Sequence, residues 1–163
     1  MEAQRGGAGL TRALLVGASV LALSGCGGDE EDAPSRDEFA ASAEKVCAAL
    51  DRQSRELSRS RPKSNAEIVA FARDARRAAQ DAVRRVAALA VPEGEDGEKA
   101  RRWQDAVEQE AEEQLIPALD RLETAAEEGD EQEILSAALE IQGLEAQRSD
   151  QLAREIGAEG CAA

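Results

Sequence analysis

From Ser35 onward the apolar residues of this chain recur three and four positions apart, in four stretches separated by proline and glycine. That period predicts four amphipathic helices. The first opens with Ser35 and Glu38 in capping-box spacing, carries a seam of Phe39, Ala43, Val46, Leu50 and Leu57, and stops at Pro62. The second repeats the device with Ser64 and Glu67, then alternates by four and three through Ile68, Ala72, Ala75, Ala79, Ala82, Val86 and Leu89 up to Val91-Pro92. The third covers about 98–128, with Trp103, Val107, Ala111, Leu115, Ala118, Leu122 and Ala125 on one side. Pro117 lies inside that pattern and removes a backbone donor, but the seam keeps its phase on both sides, so a kink is expected rather than a break. After the Gly129-Asp130 turn a fourth helix carries Ile134, Ala138, Ile141, Leu144, Leu152 and Ile156 and ends at Gly157. Short connections and four apolar stripes predict an all-α fold, an antiparallel up-down-up-down four-helix bundle over residues 36–163. No strand-like alternation and no internal repeat appears.

The residues before this pattern are a different material. Ala13 to Gly25 carry no charge and follow Arg5 and Arg12, the layout of an export signal. Thirteen residues rise only ~20 Å as a helix, short of the ~30 Å hydrocarbon core, which argues against a lasting span. The stretch closes on Leu23-Ser24-Gly25-Cys26, which resembles the lipobox of bacterial lipoproteins. That resemblance implies removal of the signal peptide, residues 1–25, lipidation of the Cys26 sulfur and acylation of the new amino terminus. An ordinary secretory signal with an incidental cysteine is the other reading. Each buried methylene contributes about 0.8 kcal/mol, so several acyl chains would anchor the protein durably where one would not. Residues 26–35 then form a flexible, acidic linker. Its Asp29, Glu30, Glu31 and Asp32 lack the alternating ligands and glycine turn of a calcium loop and are expected to be solvated.

If Cys26 carries lipid, two thiols remain in a chain bound for an oxidising compartment, and a Cys47–Cys161 disulfide is the expected outcome. The bundle topology agrees, because the start of the first helix and the end of the fourth lie at one end. FAASAEKVCAAL and IGAEGCAA together resemble small helical lipoproteins of actinobacteria, and the preference for arginine and alanine fits such an origin. The resemblance implies an anchored bundle and no particular chemistry.

Composition narrows the function classes. The 163 residues suit one core, and a chain 42% hydrophobic but only 2% aromatic, rich in alanine, predicts closely packed helices. A formal net charge of −14 repels nucleic acid and anionic head groups, so neither is an expected partner. Histidine is absent, which excludes Ser-His-Asp and Cys-His catalysis and the usual zinc, haem and carboxylate-bridged iron ligand sets. No phosphate-binding glycine motif occurs. Carboxylates such as Glu110, Glu112 and Glu113 read as a solvated face, and no catalytic residue, metal or cofactor is expected. The basic RELSRSRPKS connection and the acidic EEGDEQE turn are expected at one end, neutralising each other. Gln53, Glu110 and Arg148 fall at or beside seam positions, where they form either a buried polar layer that fixes register or binds a small ligand, or a boundary at which the arginine snorkels. The expectation is therefore a non-enzymatic, extracytoplasmic lipoprotein held at the cell membrane. It would act through an unidentified envelope protein or, alternatively, bind a small ligand inside the bundle.

Overall fold

The computed structural model describes residues 33–144 and 146–162. The expected signal peptide, Cys26 and most of the linker lie outside the described residues. Helix α1 covers Arg36–Arg59, α2 Asn65–Ala87 and α3 Gly94–Glu110. A π turn over Ala111–Leu115 joins α3 to α4, Ile116–Glu128. Then follow α5 Glu131–Gly143, α6 Gln147–Ile156 and a 3₁₀ turn Glu159–Cys161. The fold is all-α, with no strand among the described residues. None of these helices is long and apolar enough to cross a membrane.

The helix starts follow the capping chemistry. Ser35 Oγ accepts from the Glu38 N–H at 3.3 Å while the Glu38 carboxylate accepts from the Ser35 N–H at 2.9 Å, closing a full capping box. Those hydrogen bonds hold the Glu38 carboxyl below its ordinary pKa. Helix α4 ends at Gly129, left-handed at φ +74°, with the Asp130 N–H returning 2.9 Å to the Ala125 carbonyl. Asp130 then caps α5 through the N–H groups of Gln132 and Glu133, both at 3.0 Å.

Two features differ from the sequence expectation. Ahead of Pro117 the helix does not simply bend. Ile116 N–H bonds to the Ala111 carbonyl, five residues back, and the wider turn makes room where the proline ring crowds the carbonyl four residues before it. The fourth helix is also two helices, because Leu144 is extended at φ −67°, ψ 126°. The apolar seam is empty between Leu144 and Leu152, so a continuous rod would have had nothing to bury there.

Helix α1 packs on α2, α2 on α4, α4 on α5 and α3 on α6, neighbour relations compatible with an up-and-down chain. Burial divides into two clusters. One gathers Phe39, Ala43, Val86, Trp103, Ala153 and Ile156 from α1, α2, α3 and α6, with Phe39 and Trp103 each 1% exposed and meeting edge to face at 6.0 Å. The other centres on Ala72, Leu122 and Ala137 of α2, α4 and α5, flanked by Ile68, Phe71 and Ile134.

The Cys47–Cys161 disulfide is formed, with the Cα atoms 5.3 Å apart. Cys47 lies midway along α1, so the tail has to climb back from the end of α6. Gly157 makes that reversal at φ +84°, the buried Ala158 returns its N–H 2.9 Å to the Ala153 carbonyl, and the 3₁₀ turn brings Cys161 alongside α1. Two further bonds fix the tail: Arg36 donates to the carbonyls of Glu155 and Ile156, and the Gly160 N–H donates to Glu44 at 3.1 Å.

Candidate functional site

Between the two clusters the helical seams are only half covered. Leu50, Ala75, Ala82, Val107, Leu115 and Ile141, all seam positions, are half-buried. Helix α1 leans on α2 while α5 leans on α4, and the space between them is an apolar cleft. It has two compartments. One, about 380 Å³, is bounded by Val83, Val107, Ala111 and Leu144, with Glu110, Gln114 and Ser149 at its edge. The other, about 300 Å³, lies among Leu50, Leu57, Phe71 and Leu119, with Gln53, Ser54 and Ser58 at its edge. Ala79, Ala82, Leu115 and Ile141 line both, so the compartments abut on the same four side chains. Volumes of this order are those of small-molecule pockets, from ~300 Å³ upward.

The break in the fourth helix shapes the first compartment, and Glu110 holds it. Ala146, which precedes α6, has no side chain to cap the helix. The Glu110 carboxylate, arriving from α3, accepts from the backbone N–H groups of Arg148 at 3.2 Å and Ser149 at 3.1 Å, and from the Ser149 hydroxyl at 2.5 Å. A carboxylate at a helix N-terminus satisfies orphan donors and sits at the positive end of the dipole. Arg148 sends its guanidinium outward to the Gln109 side-chain oxygen at 2.9 Å.

Of the polar trio expected along the seams, the structure brings two together, and not as a buried layer. Glu110 is half-buried and meets the backbone of Arg148, while the Arg148 side chain is exposed. Gln53 is half-buried on α1 and borders the other compartment. Sequence reasoning missed Ser149, the one buried polar residue among the described residues, which completes the cap. A signal was present: the polar run that begins at Gln147 marks a helix start, with a hydroxyl in its first turn. Glu112 is exposed, and Glu113 accepts from Gln109 at 3.1 Å. Among the described residues no cluster of acidic or cysteine side chains could hold a metal ion, and no buried side-chain nitrogen or oxygen lacks a partner.

The charged ends also differ from expectation. The basic connection and the acidic turn do lie at one end, since a Cβ on Gly129 would meet the Asn65 amide at 3.5 Å. Among the described residues, however, no ion pair joins Arg59, Arg61 or Lys63 to that turn. Of the turn's acids Glu127 is paired with α2 instead, alongside Asp120 and Glu123 earlier on α4. Arg73 pairs with Glu123 at 2.5 Å and Glu127 at 2.6 Å, and Arg76 with Asp120 and with Glu123 at 3.1 Å. Both guanidinium groups are held above their ordinary pKa, Arg73 by its hydrogen bond to Glu123 and Arg76 by its bond to Asp120.

No known family model, curated protein or solved structure matches this chain.

Proposed function

We propose that the mature chain is a lipid-anchored, non-enzymatic binding domain on the outer side of the cytoplasmic membrane, and that it holds a small apolar ligand in the cleft. The observation that carries this reading is the pair of abutting compartments, hollow where every helical seam continues. A bundle selected only to be compact would have larger side chains than Ala75, Ala79 and Ala82 at these positions. The anchor rests on the resemblance around Cys26, and the absence of histidine leaves the chain without the Ser-His-Asp and Cys-His arrangements. Native mass spectrometry of the protein drawn from its own membranes tests the reading. A co-purifying small molecule, lost on solvent extraction and absent from a cleft-filled Ala82→Phe protein, is expected; a bare protein mass overturns it. An unmodified Cys26 in the mature protein overturns the anchor alone.

A second reading, an envelope protein-contact module, draws on a different observation. Leu135 and Leu139, one turn apart on α5, are 61% and 57% exposed. Crosslinking in intact cells that captures one partner, and loses it in a Leu135→Ser, Leu139→Ser protein, would favour this reading.

A further inference from the structure

Deepening that reading and resting on it, we infer that the cleft takes one extended hydrocarbon chain of a lipid whose head group is uncharged. Shape argues first. Lining residues run along α2 from Phe71 to Val83, twelve positions, which is ~18 Å at helical rise. Compartments of 300 and 380 Å³ drawn out over that distance form a space long relative to its cross-section. Its shared waist of two alanines, a leucine and an isoleucine is purely aliphatic. Phe71 is the single aromatic residue in either lining, so nothing resembles a stacking platform for a planar ring.

Charge argues second. The neutral polar groups lining the compartments are Gln53, Ser54 and Ser58 in one and Gln114 and Ser149 in the other, and where the groove continues past Gln53 and Leu57 the guanidinium groups of Arg77 and Arg84 are already paired with Asp74 and Asp81. Glu110, the sole ionisable side chain in either lining, is engaged by three donors of α6. A cationic head group would have to break that cap. An anionic one would lie beside the Glu110 carboxylate, whose donors would not be free to receive it, inside a chain of net charge −14. Hydroxyl groups, by contrast, match the amide and hydroxyl edges of the cleft.

The test uses the full chain carrying Cys26→Ser, so that no lipid of its own competes, with 1-monopalmitoylglycerol, palmitate and cyclohexanol as probes in isothermal titration and native mass spectrometry. Monopalmitoylglycerol is expected to bind one molecule per chain. Palmitate above its pKa should bind weaker by about tenfold, the penalty of a charge without a partner. Ala82→Phe should weaken monopalmitoylglycerol by a similar factor while its helical circular dichroism and unfolding midpoint stay near those of the parent. Gln114→Ala, away from the shared waist, provides a second variant if Ala82→Phe does not fold, and should weaken the glyceride more than palmitate. Equal binding of palmitate overturns the head-group assignment, and binding unaltered by both variants overturns the location. Binding of compact cyclohexanol without the glyceride overturns the extended-chain inference and leaves the apolar-ligand reading standing. Binding of neither overturns both.

Discussion

The two hydrophobic clusters of this bundle are built by different means. Around Trp103 the helices are fastened by an aromatic pair, a disulfide and bonds from Arg36 and Glu44 to the tail. Around Leu122 the buried residues are smaller, and the lateral fastening is electrostatic, through Arg73 and Arg76 to α4 and Arg121 of α4 to Glu140 of α5. Exposed ion pairs contribute little and yield to salt, whereas buried aromatic area and a covalent staple do not. One end is therefore a fixed base and the other a looser grip, and the cleft lies between them.

The sharpest way to break that contrast is Trp103→Ala. Removing the largest buried side chain should cost about 3–5 kcal/mol in chemical denaturation, well above any change at the ion pairs. Opening the staple with Cys161→Ser comes next. It releases a loop of sequence separation 114 and should cost about 2–5 kcal/mol, with the tail the first segment to exchange its amide hydrogens. Glu110→Ala should cost about 0.5–2 kcal/mol and show itself locally, as faster hydrogen exchange at Arg148 and Ser149 than at α3. A double-mutant cycle on Arg73 and Glu123 should return only about 0.2–1 kcal/mol and shrink further in molar salt. If that cycle exceeded the tryptophan effect, the assignment of base and grip would be reversed.

A finer probe is pH. The Glu38 carboxyl titrates below its unfolded value because the capping box holds the charged form. Its contribution is thus complete above the unfolded pKa of about 4.3 and is lost as pH falls through the lower folded value. Glu38→Gln should flatten that part of the acid-unfolding curve and leave the neutral range nearly unaltered.

Much of this architecture was legible in the sequence, for reasons that particular residues make plain. Ser35 with Glu38, and Gly129 and Gly157 after their helices, are local chemistry, and local chemistry does not wait for tertiary contacts. The pairing of the two cysteines followed from counting, but the placing of Cys47 at an end of the bundle did not hold, since it lies midway along α1 and the tail climbs back to reach it. What could not be read were the features that depend on neighbours. Arg148 interrupted an apolar seam, and a polar layer and a helix break leave the same gap in a periodic pattern; only the position of Glu110 on another helix distinguishes them. The cleft was equally silent, because alanine at a seam position marks close packing where a partner approaches and emptiness where it does not. Ala79 and Ala82 are of the second kind on their open side, whereas Ala43 and Ala118 are of the first.

The returning tail has a mechanical corollary. With Cys161 joined to Cys47, tension applied between residues 33 and 162 passes from the front of α1 straight across the sulfur bridge, bypassing everything from α2 to α6. Pulled at residue 33, the domain would fray through about a dozen residues of α1 and then stop at the bridge, leaving the cleft unshaken.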